Sequence, residues 1–156
     1  MIWNEVNVEI YKMNFGNPDD AKNAQECAKM FCSTVTRVLT YATKQITDSE
    51  CADILEEIKM KFISARDAVC TPEYLTEKIG ATIIKWRTKI MEYDTDFFMT
   101  MNIANLFGGE NAPELNDVTR SKFYKSTTSE MRTIVFDALN LMLILYAKFR
   151  VHTQSK

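Results

Sequence analysis

Glycine and proline are scarce in this sequence, with four Gly and three Pro among 156 residues. Sandwiches and barrels of β-strands need frequent turn residues, so this shortage argues against them and favours long helices. A bilayer-spanning segment is lacking too, because it requires about 20 apolar residues. The unbroken apolar run Leu141 to Ala147 has seven. The sequence therefore predicts an all-α fold with no membrane span.

Surplus positive charge is also absent. The formal net charge is −2 and the pI is about 5.5, whereas domains that hold nucleic acid are usually basic. The four cysteines form no C-x-x-C pair, and the first residues lack the basic and apolar regions of a secretory signal. We expect no nucleic-acid partner, and we expect reduced, buried thiols in an intracellular setting.

Residues that could carry chemistry are few. The single histidine, His152, lies in the polar segment 151–156, which we expect to be a frayed tail and a poor place for a catalytic base. Cys27 and Cys32 are five residues apart, so they point about 140° apart on a helix and make a poor metal pair. The acidic groups are interpreted as surface or capping residues: Glu56, Glu57, Glu92, Asp94 and Asp96. We therefore predict no catalytic residue, no metal ligand, no cofactor and no enzymatic activity.

What the sequence does contain is a strongly apolar helix, Met131 to Phe149. Its apolar positions recur at helical spacing and leave only a narrow polar stripe of Thr133, Asp137, Asn140 and Lys148. A helix that is apolar nearly all round must be enclosed by other helices. We predict one domain over residues 17–150, a bundle of five to six helices around this segment, preceded by an arm or short helix at 1–16.

Helix-start signals divide the rest of the chain. The first expected helix runs from Asn17-Pro18 to Gln45, and the second covers 48–70 and is opened by the capping box Thr47-x-x-Glu50. A third helix is expected from Thr71-Pro72 through Tyr93, and a fourth from Asp94 or Thr95 to Gly108-Gly109. A short fifth helix over 114–125 precedes the central helix, which is opened by the capping box Thr127-x-x-Glu130.

Two polar patterns allow more than one interpretation. Asp137 and Asn140 either reach solvent or form hydrogen bonds with a neighbouring helix or subunit, in which case the candidate donors are Arg37, Lys85 and Arg87. The basic residues of the third helix either form a solvated face or contact phosphates: Lys78, Lys85, Arg87 and Lys89. We favour the solvated face because the whole chain is acidic.

Aromatic residues in the first 16 positions suggest a partner-binding arm. Trp3, Tyr11 and Phe15 lie outside the confidently predicted helices, and an apolar arm of this kind commonly docks on its own domain or on another chain. We expect a non-enzymatic structural or interaction protein, with other protein chains, including its own copies, as partners. The alternative is a binding module that captures a partner helix in an apolar groove.

The C-terminal half contains the pattern Lys85-Trp86-Arg87, Ile90, Asp94 and Phe97-Phe98, followed by a loop and a last amphipathic helix. This pattern resembles one in small uncharacterised helical proteins of large DNA viruses. The resemblance implies a virus-encoded intracellular protein associated with the virion or its assembly. In the alternative, it implies a viral module that binds a host helix. It transfers no functional residues.

Overall fold

The computed structural model describes residues 17–68, 71–94, 96, 122 and 124–154. Within them lie five α-helices and no β-strand, so the all-α prediction is confirmed. The helices are α1 (Ala24–Gln45), α2 (Ser49–Ala68), α3 (Pro72–Ile83), α4 (Arg87–Met91) and α5 (Ser129–Gln154). Short 3-10 turns cover Pro18–Asp20 and Ile84–Trp86. The predicted fourth helix, most of the fifth and the Gly108-Gly109 stop lie outside the described residues.

The central position of the C-terminal helix is the main feature of the fold. Helix α1 makes the most extensive contact with α5, while α3 and α4 pack on α5 from other directions. Nearly every residue of α5 between Met131 and Phe149 is buried, and the run from Val135 to Tyr146 is buried without interruption. Burying one Leu or Ile side chain stabilises a fold by roughly 1.5–3 kcal/mol. The enclosure of α5 is therefore a large part of what holds the helices together.

The first helix begins later than the sequence suggested. Asn17 does cap a turn, since its Oδ1 accepts from the Asp19 amide at 3.0 Å, but that turn ends at Asp20. Asn23 then caps α1, with its Oδ1 2.9 Å from the amide of Glu26. The Glu26 carboxylate reaches back to the Lys22 amide at 3.1 Å. The side chains of Asn23 and Glu26 together satisfy two free amides, which makes Asn23 the stronger helix start.

Both predicted capping boxes are displaced by one residue. The cap of α2 is Asp48, whose Oδ1 accepts from the Cys51 amide at 3.0 Å, rather than Thr47. The cap of α5 is Thr128, whose Oγ1 accepts from the Met131 amide at 3.1 Å, rather than Thr127. The predicted cap of α3 is confirmed, because Thr71 Oγ1 accepts from the Tyr74 amide at 3.1 Å.

The predicted third helix is interrupted, and the central helix is longer than expected. The stretch Thr82-Ile83-Ile84 is β-branched, which weakens its helix preference, and a 3-10 turn begins at its last residue, Ile84. At the other end of the chain, α5 continues to Gln154, so residues 151–154 are helical and not a frayed tail. No helix in the described part of the chain combines the length and apolar character needed to cross a bilayer.

Candidate functional site

The predicted partner-binding residues Trp3, Tyr11 and Phe15 lie outside the described residues. His152 belongs to the last turns of α5 and is partly exposed. Three of the five acidic residues considered from the sequence engage nearby lysines: Glu56 with Lys59 at 3.0 Å, Glu57 with Lys61 at 3.2 Å, and Asp94 with Lys89 at 3.0 Å. Among the described residues, no three His, Cys, Asp or Glu side chains converge as metal ligands would.

Three of the cysteines lie in the structure's core, as the sequence predicted. Cys27, Cys32 and Cys51 are free thiols that are almost completely buried, and Cys70 lies outside the described residues. Burial raises the pKa of the Cys32 and Cys51 thiols to about 11. A thiol with such a pKa is protonated at neutral pH and a poor nucleophile. These cysteines act as small packing groups.

The polar residues of α5 form a buried cluster. Asp137 is 2% exposed and Asn140 is 1% exposed, so the interpretation in which they reach solvent is wrong. The Tyr93 hydroxyl donates a short hydrogen bond to Asp137 Oδ1. Burial raises the pKa of the Asp137 carboxyl, and the bond from Tyr93 opposes that rise. The partner is thus a tyrosine and none of the three cations that the sequence suggested.

Asn140 attaches this cluster to the end of α4. Its Nδ2 donates to the carbonyls of Ile90 at 3.2 Å and Phe136 at 2.8 Å, while its Oδ1 has no hydrogen-bond partner among the described residues. The Tyr93 ring also packs on Phe136, with 5.4 Å between ring centroids. The cluster holds two helices in register, and the hydrogen bonds of Asp137 and of Asn140 Nδ2 are made with other protein atoms. Its arrangement is that of a structural cluster.

The basic residues of the predicted third helix do not form one continuous face. The 3-10 turn at Ile84–Trp86 changes the helical phase between Lys78 and Lys89. The Lys78 ammonium lies 6.0 Å from the Tyr74 ring centroid, and Lys85 is exposed. The Arg87 guanidinium donates to the Ile84 carbonyl at 3.0 Å. The favoured interpretation, a solvated face, agrees with these exposed positions.

A cleft lies between α1, the end of α2 and the start of α3. Its volume is about 340 Å³. Helix α1 contributes one wall, Arg66 comes from α2, and Pro72 begins α3. The residues that α1 supplies are Lys29, Cys32, Ser33, Thr36 and Arg37. Three helices are needed to form this site.

Among the described residues, the cleft is lined by three cations and by no carboxylate. The Arg66 guanidinium donates through Nη1 to Thr36 Oγ1 at 3.3 Å and through Nε to Asp67 at 3.0 Å, which fixes its position. The Cys32 thiol donates to the Pro72 carbonyl with 3.8 Å between heavy atoms and so ties α1 to α3 beneath the cleft. Lys29 is exposed and forms no hydrogen bond or ion pair with a described residue.

Sequence reasoning did not find this cleft. Part of the signal was available, since Lys29, Ser33, Thr36 and Arg37 follow one another at helical spacing on one side of α1. The remainder was not, because Arg66 and Pro72 join them only through tertiary packing. Arg37, which the sequence suggested as a donor to Asp137, lines the cleft instead.

Comparison of the chain with protein-family models, with curated proteins and with solved structures gives no match.

Proposed function

We propose that this protein is a non-enzymatic interaction protein that acts through contacts with other protein chains, first of all with copies of itself. The observation that carries the proposal is the outer side of α2. This helix packs mainly against α1, and Met60 on its far side is 51% exposed. Ile63, one turn further along, is also partly exposed. Methionine is enriched at protein interfaces, where it fits irregular partner surfaces.

The surroundings of Met60 support the same proposal. The ion pairs Glu56–Lys59 and Glu57–Lys61 border it along the helix. An apolar anchor with a charged rim is the usual arrangement of a protein interface. A symmetric contact would bury the same anchor on both copies at once, which makes self-association the simplest use of this surface.

The resemblance to viral helical proteins supplies the setting of the proposal, a minor virion component or an assembly factor inside the producing cell. The alternative, capture of a partner helix, requires an open apolar groove. In the part of the chain that the structure describes, the apolar side chains of α5 from Val135 to Tyr146 are buried by the protein's own helices. The cleft between α1, α2 and α3 is lined by cations. No observation on the described residues therefore favours the alternative.

Light scattering coupled to size-exclusion chromatography tests the proposal. For the full chain we expect the mass of two or more copies, each of 18.0 kDa. Met60→Lys is expected to shift the mass to that of one chain, because burying an unpaired charge in an interface is costly. Val151→Lys is the matched control, since Val151 is also an exposed apolar residue but lies near the end of α5. It is expected to leave the mass unchanged.

Removal of residues 1–15 tests the contribution of Trp3, Tyr11 and Phe15 separately. If the arm provides the contact, the truncated chain loses association while its helical circular dichroism is retained. A full chain that is monomeric at every concentration contradicts self-association. An oligomer that persists both in Met60→Lys and in the truncated chain shows that neither surface forms the contact, and overturns the interface proposed on α2.

A further inference from the structure

We propose that the cleft between α1, α2 and α3 binds the phosphoryl group of a small phosphorylated molecule. This function is independent of the proposed self-association, since the cleft and the Met60 surface do not share residues. The inference depends on the shape of the cleft, on the charges that line it and on the hydroxyl groups between those charges.

The shape of the cleft suits a small ligand. Ligand pockets in proteins have volumes from about 300 to 1,000 Å³. At about 340 Å³, this cleft is at the lower end of that range. A phosphate or pyrophosphate group with a short organic portion fits such a volume, whereas a dinucleotide does not. The cleft is also concave and local, which distinguishes it from the extended basic surface that nucleic acids require.

The charges of the lining favour an anion. Lys29, Arg37 and Arg66 surround the same cavity, and none of the described residues that line it is a carboxylate. The chain as a whole carries a net charge of −2, so this local concentration of positive charge does not reflect its composition. The Arg66 guanidinium donates through Nε to the Asp67 carboxylate at 3.0 Å and through Nη1 to Thr36 in the cleft wall. Arginine donors fixed in this way match the oxygen atoms of a phosphoryl group.

Neutral donors complete the site. Ser33 lies between Lys29 and Arg37 on the same face of α1, and its hydroxyl forms no hydrogen bond with a described residue. The start of α3 adds the positive end of a helix dipole, because Pro72 at its first position is part of the lining. Glu73 lies in the first turn of α3, but it is not among the lining residues.

Titration of the full-length protein with sodium pyrophosphate and with inorganic phosphate, at constant ionic strength, tests this inference. Binding is followed by calorimetry and by amide chemical shifts in ¹⁵N-labelled protein. We expect saturable one-to-one binding, with shifts concentrated at Lys29–Arg37, Arg66 and the first turn of α3. Affinity is expected to fall as sodium chloride is raised, because screening weakens the attraction between exposed charges.

Variants locate the binding site. The double variant Lys29→Gln, Arg37→Gln is expected to weaken pyrophosphate binding about tenfold or more, the effect of losing charge-assisted hydrogen bonds. Arg66→Gln is expected to weaken it to a similar extent. Lys85→Gln, which removes one exposed charge away from the cleft, is the control and is expected to change the affinity less than twofold. Thermal melting of each variant verifies that it is folded.

Each contrary result overturns the inference. Non-saturable shifts spread over all lysine-bearing surfaces indicate unspecific attraction. Unchanged affinity in both the double variant and Arg66→Gln places the anion elsewhere. Vesicles of phosphatidylcholine with phosphatidic acid distinguish a lipid headgroup from a free ligand, and stronger binding to these vesicles than to pyrophosphate contradicts a small-molecule site. Light scattering on the double variant Lys29→Gln, Arg37→Gln measures the mass of the assembly, so a loss of pyrophosphate binding can be distinguished from a loss of self-association.

Discussion

At the level of single residues, the most informative side chain is the Asp137 carboxyl. It lies in the middle of the most buried helix, and the Tyr93 hydroxyl is its hydrogen-bond partner. Tyr93 itself has a φ of 54°, a left-handed conformation that is unusual for a residue with a side chain. The hydrogen bond to Asp137 and the packing on Phe136 stabilise this conformation. The three residues thus depend on one another.

Replacement of Asp137 tests this dependence. Asp137→Ala is expected to lower the free energy of unfolding by about 1–3 kcal/mol, because it leaves the Tyr93 hydroxyl without its acceptor. Asp137→Asn keeps an acceptor oxygen and cannot ionise, so it is expected to be more stable than Asp137→Ala. Urea denaturation of the three proteins measures both differences. An Asp137→Ala variant with the stability of the wild type would contradict a buried, partnered carboxyl.

The pH dependence of the same variants has a definite sign. Burial raises the pKa of Asp137 in the folded state above the unfolded value of about 3.9. Between these two pKa values the folded protein holds the proton more often than the unfolded chain. The contribution of Asp137 to stability therefore decreases as the pH rises through that interval. Asp137→Asn is expected to lack this decrease. Its free energy of unfolding, relative to that of the wild type, should therefore rise with pH and then level off. A relative free energy of unfolding that falls as the pH rises would contradict the raised pKa.

At the level of helices, the ends are determined by local hydrogen bonds. The termination of α4 illustrates this, since the Tyr93 amide donates to the Ile90 carbonyl at 3.2 Å and the Asp94 amide donates to the Lys89 carbonyl at 3.1 Å. These two bonds and the left-handed Tyr93 form a common helix stop that usually contains glycine. Here a tyrosine takes the place of the glycine, because its side chain is needed on α5.

Close contact between helices depends on Gly80 of α3. A Cβ added to Gly80 would lie 2.1 Å from Cδ1 of Tyr146 on α5, which is far below van der Waals contact. Tyr146 is buried, and its hydroxyl donates to Glu77 at 3.2 Å, so the ring has little freedom to move. Glu77 also accepts from Arg150 at 2.7 Å. Helices α3 and α5 therefore approach each other at the one position that lacks a side chain.

Gly80→Ala is expected to destabilise the protein by about 1–3 kcal/mol, the usual cost of overpacking. This cost exceeds the gain of about 0.5–1 kcal/mol that alanine normally brings to a helix. Ala81→Gly provides the matched control at the neighbouring exposed position, where only helix preference changes. Both Gly80→Ala and Ala81→Gly are expected to lower the free energy of unfolding, although the first adds a methyl group and the second removes one. Thermal or urea unfolding measures both effects. A Gly80→Ala variant that is more stable than the wild type would contradict the close contact.

At the level of the whole molecule, Lys148 joins the two ends of the described chain. Its ammonium group donates to the carbonyls of Pro18 at 2.7 Å and Ala21 at 3.0 Å, more than 120 residues earlier in the sequence. Pro18 is the first residue of the N-terminal turn, and Ala21 directly follows that turn, three residues before α1 begins. The contact therefore fixes the start of α1 on the C-terminal part of α5.

Lys148→Met removes both hydrogen bonds but keeps an apolar side chain of similar length. We expect the free energy of unfolding to fall by about 1.5–3 kcal/mol, the usual worth of a hydrogen bond from a charged group. Hydrogen exchange is expected to accelerate most at the amides of residues 19–28. Lys44→Met, at the exposed end of α1, is the control and is expected to leave these amides protected. Equal protection in both variants would contradict the role of Lys148.

The sequence alone determined the class of the fold and its centre. Few glycines and prolines, together with helical spacing of apolar residues, suffice for an all-α fold. A helix as apolar as Met131 to Phe149 has to be enclosed, and it is. The Thr71-Pro72 cap was equally predictable, because capping depends on residues that are adjacent in the chain. Where two capping residues are neighbours, as at Thr47-Asp48 and Thr127-Thr128, the sequence identified the place but not which of the two acts.

Only the tertiary structure determined how distant residues meet. Asp137 was recognised as a polar residue in an apolar helix, but its partner Tyr93 lies 44 positions earlier, at the end of the predicted third helix. The cationic cleft combines residues of α1, α2 and α3, so the sequence shows only the part of its charge that α1 carries. Local signals decide helix formation because capping and periodicity act over a few residues. Sites depend on packing between helices, which brings together groups that the sequence keeps apart.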